Sequence, residues 1–446
     1  MRKKLSYSII ALLLLSGAPL RSQNIRFTHL WNHTNISFDL NQLYNYNLYE
    51  QNRWGGGFNL TTPLHYNSRY GIDFQNLLSA TIYGAYGTGD HAWKYGGGAE
   101  LRFPRSLIRS VGVNYRHDLD MAGRHSFDSY NILNTTDNST YFSSRYSMVD
   151  RLTAGLTVKL PGKNYLTAEY RHSGERLLFN ATNLMYPAIY DADALAKSYY
   201  DEAHLRLDYG DHWRFDLLAG HGKYNDCGPF GGITKEGNFW RLMAQYQVAK
   251  TFSGNKGSVN FFAQGGTTGG ANTPLSRRFD LSGTGSSFYY FNNTLLTVRP
   301  NTFMADAFLF CSFSYTMAKP LWNLNISHPT PFVQLNAVWG TLYGDHVVDG
   351  SGIYELMSGN AIASNEFASY NGLPSAFMLT APSQGLLEPV VGLDKLLRWG
   401  VLDLGVAAAY QLTPKNAPYH LDNFLDKFSV MCIAKLVLDL SKYTTS

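Results

Sequence analysis

Charge is scarce in this 446-residue chain, where Asp, Glu, Lys and Arg together make up 16% of the residues. Soluble proteins carry about 25%, so the chain has less charge than a fully water-covered surface calls for. Long apolar runs are also missing. Beyond the first residues, none reaches the ~18 positions of a membrane helix, and mean hydropathy is −0.21. Helical membrane spans are thereby excluded. Cysteine is rare as well: Cys227, Cys311 and Cys432 are odd in number and far apart, which gives neither a disulfide framework nor a metal-binding spacing. The net charge of +4 is spread along the chain, with no basic run carrying interleaved aromatics, so nucleic acid is not an expected partner.

Catalytic motifs are missing too. No HExxH, GxSxG or CxxC occurs. His117-Asp118, Asp211-His212 and Asp345-His346 are adjacent pairs, and neighbours on a strand point to opposite faces, so they do not form dyads. The expectation is therefore no enzyme, no cofactor and no metal.

What the chain has is aromatics, at 15% with 31 Tyr and 26 Phe, and 41 glycines. It also alternates with period two from end to end. Leu402, Leu404, Val406, Ala408 and Tyr410 oppose Asp403, Gly405 and Gln411. Ala203, Leu205, Leu207 and Tyr209 oppose Glu202, His204, Arg206 and Asp208. Phe428, Val430, Cys432 and Ala434 oppose Lys427, Ser429 and Lys435, and Val333, Leu335, Ala337 and Trp339 oppose Gln334 and Asn336. One apolar and one polar face is what lipid outside and water inside require. Cys311 and Cys432 fall on apolar faces, where cysteine acts as a small hydrophobe.

Strands are predicted near 26–40, 52–61, 75–86, 92–103, 107–119, 148–160, 164–173, 200–209, 212–221, 238–251, 256–268, 303–317, 331–341, 384–393, 400–412 and 427–441. This is an all-β chain: a transmembrane antiparallel β-barrel of about sixteen strands. Its long connections, around 120–147, 174–199, 222–237, 269–302 and 342–383, fall at one end. Most of the short ones fall at the other, as expected of long outer loops and short periplasmic turns. Connections at 62–74 and 318–330 are longer than that pattern prefers, and 87–91 is short.

The N-terminus fits export. Met1-Arg2-Lys3-Lys4 precedes the apolar run Ile9–Leu15 and then small residues to Ser22, the order of a secretory signal peptide. Residues 1–22 are expected to be removed, leaving 23–446 as one barrel domain in the cell outer membrane. Its expected partners are outer-membrane lipid and lipopolysaccharide, with other outer-membrane or periplasmic proteins as further candidates.

The most distinctive stretch is Tyr83-Gly84-Ala85-Tyr86-Gly87-Thr88-Gly89-Asp90, running on to Trp93-Lys94-Tyr95-Gly96-Gly97-Gly98. A phosphate loop needs a following helix and Lys-Ser or Lys-Thr. Here the next residues alternate as a strand, so a glycine-turned hairpin is the reading. That hairpin resembles one in the Bacteroidetes DUF5686 outer-membrane family, whose barrel is similar to the Omp85 (surface antigen) superfamily. Phe279-Asp280-Leu281-Ser282-Gly283, Phe303-Met304-Ala305-Asp306 and Leu387-Glu388-Pro389-Val390-Val391-Gly392-Leu393-Asp394 share the resemblance. It departs in one respect at the N-terminus: the family's usual domain before the barrel has no counterpart, since predicted strands begin almost at once.

The resemblance implies a role in assembling or translocating other chains. It also implies a loop motif, Arg-Gly-aromatic, that folds into the lumen and pairs with wall carboxylates. Arg277-Arg278-Phe279 occupies the matching loop, with Arg278 in place of glycine. Arg277 or Arg278 reaching Asp306 or Glu388 would pin the loop as a plug. A solvated arginine pair is the alternative. At the level of function, a porin-like channel for small solutes and a structural or adhesive surface protein stay open beside the assembly role.

Overall fold

The structure, a computed structural model, describes residues 24–27, 35–39, 43–47, 51–67, 73–121, 146–178, 198–225, 234–254, 256–270, 273, 277–281, 283, 290, 293–298, 303–324, 326–343, 381–399, 402–417 and 419–436. The expected signal peptide, most of the long loops and Cys227 lie outside them.

Three short strands come first: β1 (Asn24–Phe27), β2 (Asn35–Asp39) and β3 (Tyr44–Asn47). Next are β4 (Gln51–Asn67), β5 (Asp73–Gly87), β6 (Trp93–Arg102), β7 (Ile108–Met121) and β8 (Tyr146–Leu160). They lead to β9 (Asn164–Leu178), β10 (Ser198–Tyr209), β11 (Trp213–Asn225), β12 (Thr234–Thr251) and β13 (Ser258–Gly270). A two-residue ladder, β14 (Phe279–Asp280) with β15 (Met304–Ala305), sits inside the following loop. The chain ends in β16 (Ala307–Thr316), β17 (Thr330–Thr341), β18 (Leu386–Trp399), β19 (Leu402–Tyr410), a one-turn helix α1 (Phe424–Lys427) and β20 (Phe428–Leu436).

Each long strand pairs antiparallel with the next, and β13 pairs with β16 across the loop that holds the small ladder. β2 and β3 pair with successive stretches of β4, as one interrupted strand. Counted so, the wall has sixteen antiparallel strands, with β1 added beside β2. The sheet curls round its contents. From the inner loop, Arg277 touches β9 and β10 on one side, while Tyr290 and Leu296 touch β17, β18 and β20 on the other.

Polarity is inverted relative to a water-soluble fold. Inward side chains are charged and buried: Asp216, Arg241, Asp306 and Glu388 are each 0% exposed. Outward ones are apolar and bare, among them Ile82 at 64% and Val391 at 57%. Aromatic girdles bound the aliphatic band. Trp54, Trp93, Trp240 and Trp339 lie toward the long-loop end. At the short-turn end Trp213 packs against Tyr246, with ring centroids 4.6 Å apart. This is a transmembrane β-barrel, whose described wall strands pair antiparallel with their sequence neighbours as a lipid-exposed backbone requires. His117 and Asp118 split as strand geometry requires: Asp118 points inward to Arg53, while His117 pairs with Asp150 on the outer face.

Two predicted strands prove to be composite. Residues 26–40 are not one strand, because β1 runs antiparallel to β2 with Phe27 opposite Ile36. The residues that join them, 28–34, lie outside the described residues. Residues 303–317 break at Asp306, before which β15 leaves the wall for the lumen ladder. Other strands run longer than their sequence signal. β4 reaches Asn67, which reduces the awkward connection at 62–74 to residues 68–72. β9 continues to Leu178 and β18 to Trp399, the latter past an irregularity between Leu393 and Leu397.

The outward band generates a test. Leu335 lies mid-strand in β17 and is 46% exposed. Leu335→Lys is expected to destabilise the barrel by about 2–4 kcal/mol in lipid, and Leu335→Phe by far less, both read from reversible urea unfolding in vesicles.

Candidate functional site

The lumen is occupied at its long-loop end by the β13–β16 loop. Glycines in the wall make room for it. A Cβ on Gly266 would come within 2.7 Å of the Phe279 ring, and one on Gly340 within 2.6 Å of Leu281. Phe279 packs on Phe308 at 4.6 Å between centroids and lies beneath Arg241 at 5.9 Å. Leu281, Leu295, Val298 and Phe303 join them in an apolar cluster with wall residues Met243, Phe310, Val338 and Leu386. Ala417 and Tyr419, from the β19–β20 connection, close the cluster from above. Inside a polar barrel this is a small globular core, held by burial of apolar surface.

Three polar latches hold this core to the wall. In the first, Arg277 forks twice. Its Nε and Nη2 donate to Glu202 Oε1 and Oε2 at 2.5 and 3.0 Å. Its Nη1 and Nη2 donate to Glu175 Oε2 and Oε1 at 3.0 and 2.8 Å. The guanidinium also lies 4.3 Å from the centre of the Tyr200 ring, a cation–π contact. Burial opposes the charge on Arg277, but attraction to Glu175 and Glu202 and the hydrogen bonds they accept outweigh it. Its pKa is held well above the usual arginine value. Glu175 takes a further bond from Arg151 at 3.0 Å.

The second latch centres on Asp306, where the wall strand begins. Arg278 Nε stands 3.4 Å from Asp306 Oδ1, a coulombic contact without hydrogen-bond alignment. Asp306 Oδ2 accepts the amide of Tyr343 at 2.9 Å, and its Oδ1 accepts the Thr268 hydroxyl at 3.3 Å. This acid therefore ties the ends of β13, β16 and β17 together as well as meeting the loop.

In the third latch, Glu388 takes backbone amides in place of an arginine. It accepts the amides of Leu296 at 2.9 Å and Thr297 at 2.7 Å, the Thr297 hydroxyl at 2.5 Å and Asn336 Nδ2 at 2.9 Å. Asn336 also donates to the Thr294 carbonyl at 3.0 Å. Beside it Tyr290 donates to Gln334 at 2.5 Å, and its main-chain N–H reaches the Cys432 carbonyl of β20 at 3.0 Å. Burial and the nearby Asp394 and Glu388 push the Tyr290 phenol up, so it stays a donor.

The sequence-derived set thus comes together in part. Arg277, Arg278, Phe279, Asp306 and Glu388 all face the plug. The pairings differ: Arg277 meets Glu175 and Glu202, Arg278 meets Asp306, and Glu388 binds loop amides. Glu202 was legible on the polar face of its alternating segment. Glu175 was not, because the predicted strand stopped at residue 173 while β9 continues through Leu178.

No protein-family model matches the sequence, and no curated protein matches it. Among solved structures it is similar to CdiB from Escherichia coli at 10% identity and TM-score 0.40, covering 95% of this chain and 69% of that one. Similarity to CdiB from Acinetobacter baumannii is at 10% identity and TM-score 0.38, over 85% of this chain. This chain spans 56% of the length of that protein. A bacterial polysaccharide outer membrane secretin matches at 8% identity and TM-score 0.30, over 90% of this chain and 96% of that one. Scores this low leave the functional argument to the site's own geometry.

Removing the first latch has a defined cost. Arg277→Ala leaves two buried carboxylates facing each other, and is expected to destabilise the barrel by on the order of 3 kcal/mol. Arg277→Lys should recover less than half, since an ammonium cannot fork to both acids. Equilibrium unfolding in detergent micelles measures both.

Proposed function

We propose that this chain is an outer-membrane barrel whose lumen is latched shut at the extracellular end, and that it acts as a gated device for assembling or translocating other chains. Membrane-spanning β-barrels belong to outer membranes, and the long-loop end then faces the exterior. The observation that carries the reading is the double fork of Arg277 on Glu175 and Glu202, four charge-assisted hydrogen bonds between 2.5 and 3.0 Å. A loop that merely covered a pore would not need a buried guanidinium holding two wall acids. A latch made of ion pairs and amide–carboxylate bonds is strong in a dry lumen and weakens once water enters, which suits a plug that must move.

The resemblance to DUF5686 and Omp85 barrels supports the same role, with Arg277-Arg278-Phe279 standing where that group has Arg-Gly-aromatic. Arg278 in the glycine position is accommodated by Asp306 at 3.4 Å. A periplasmic or outer-membrane client is the partner this reading names, and it assigns no reaction to the chain.

Single-channel recording of the refolded barrel in a planar bilayer tests the proposal. The native chain should stay closed, with rare flickering openings. Arg277→Ala combined with Glu388→Gln should raise the open fraction by about a hundredfold or more, since hydrogen bonds to charged groups contribute about 1.5–3 kcal/mol for each of the two latches. A large, steady, ohmic current from the native chain would replace this reading with a porin.

A further inference from the structure

The β16–β17 connection, residues 317–329, is the exception among the short turns at its end of the barrel, and the plug does not use it. It folds back as a narrow finger. Leu324 and Ser327 exchange backbone hydrogen bonds at 2.9 and 3.0 Å, and the Leu321 amide donates to the Pro329 carbonyl at 2.9 Å. Its outer limb extends β17 along β18, where the Arg398 amide donates to the Ile326 carbonyl at 2.6 Å and the His328 amide to the Lys395 carbonyl at 3.0 Å. The tip presents Leu321, Trp322, Leu324 and Ile326, between 45% and 60% exposed.

We infer that this finger is an anchor sunk into the headgroup layer of the leaflet at the short-turn end, with glycerophospholipid as its partner. Three observations point to lipid. The finger is continuous with the lipid-facing band of the strands it joins, where Phe313 is 47% and Val333 49% exposed. Several of its polar groups, though not the exposed Asn323, are paired within the protein. The Trp322 indole donates to Ser327 Oγ at 2.9 Å, and that hydroxyl donates to the Leu396 carbonyl at 2.6 Å. Pro320 and Pro329 have no N–H to satisfy. Such internal pairing is what an apolar medium demands, whereas a protein adding a strand would need a free edge. Lys319 and Lys395 are exposed beside the apolar tip, placed to meet lipid phosphates as basic residues do at membrane interfaces.

This inference rests on the membrane-spanning reading, and the test separates the two. The full chain and its Trp322→Phe variant are refolded into phosphatidylcholine–phosphatidylglycerol vesicles, some with acyl chains brominated just below the headgroup. Folding is checked by heat-modifiable gel migration, and Trp322→Tyr serves if the first variant folds poorly. The difference in emission between native and variant isolates Trp322. Shallow bromination is expected to quench that contribution roughly twofold, as for an aromatic ring at headgroup depth, while acrylamide barely affects it. If acrylamide quenches it and bromination does not, the finger lies in water or against a protein and the anchor is overturned. The outward Trp213, Trp240 and Trp339 act as the internal standard. Quenching of these by brominated lipid with Trp322 untouched sinks the anchor alone; absence of quenching at every tryptophan sinks the membrane-spanning reading as well.

Discussion

A peptide group in lipid has no water to bond, and the rest of this molecule follows from that constraint. Each backbone donor on the wall must find its acceptor on a neighbouring strand, which forces an uninterrupted antiparallel ladder. The ladder fixes the pleat, and the pleat sends successive side chains alternately to lipid and to the lumen. Apolar and aromatic residues therefore gather outside, and among the described residues a set of charged side chains is buried on the inner wall, including Lys94, Asp118, Asp216, Arg241 and Glu388. Charge that a soluble protein would leave in water is there enclosed in a narrow interior.

Confinement creates the second problem. Acids crowded on an inner wall are costly unless cations or amides meet them. Much of the wall solves this internally: Arg53 binds Asp118 at 2.6 Å, and Arg171 binds Glu169 at 2.5 Å. His204, buried beside Arg171 and Glu169, reaches Asp216 at 2.5 Å with its other ring nitrogen. At the long-loop end the solution comes from the loop instead. Arg277 supplies the cation for Glu175 and Glu202, and the Leu296 and Thr297 amides serve Glu388. Plug and wall thus complete each other's electrostatics, so displacing the plug exposes acids as well as apolar surface.

The apolar cluster around Phe279 and Phe303 gives the plug its shape, while the latches give it its position. Burial is non-directional and would tolerate several placements of the loop. Forked and nested hydrogen bonds are directional and select one. A change that wets the lumen weakens the second group more than the first. The loop then loses its position before it loses its fold.

The sequence by itself determined the fold class and nearly all the wall. Period-two alternation is a local property, and strands such as β10, β17, β19 and β20 show it in their own residues. Arg277, Arg278, Phe279, Asp306 and Glu388 were singled out by the resemblance to the DUF5686 and Omp85 barrels and not by periodicity. Only the tertiary structure decided which acid met which base. Arg277 and Glu175 are 102 positions apart, and no periodic signal carries information about a contact made across the lumen. The split of 303–317 at Asp306 was hidden for a related reason. A strand turning off the wall to pair with a loop keeps its alternating pattern, so only the three-dimensional path shows where it leaves. Local chemistry writes the ladder, whereas the plug depends on how the curled sheet brings distant side chains face to face.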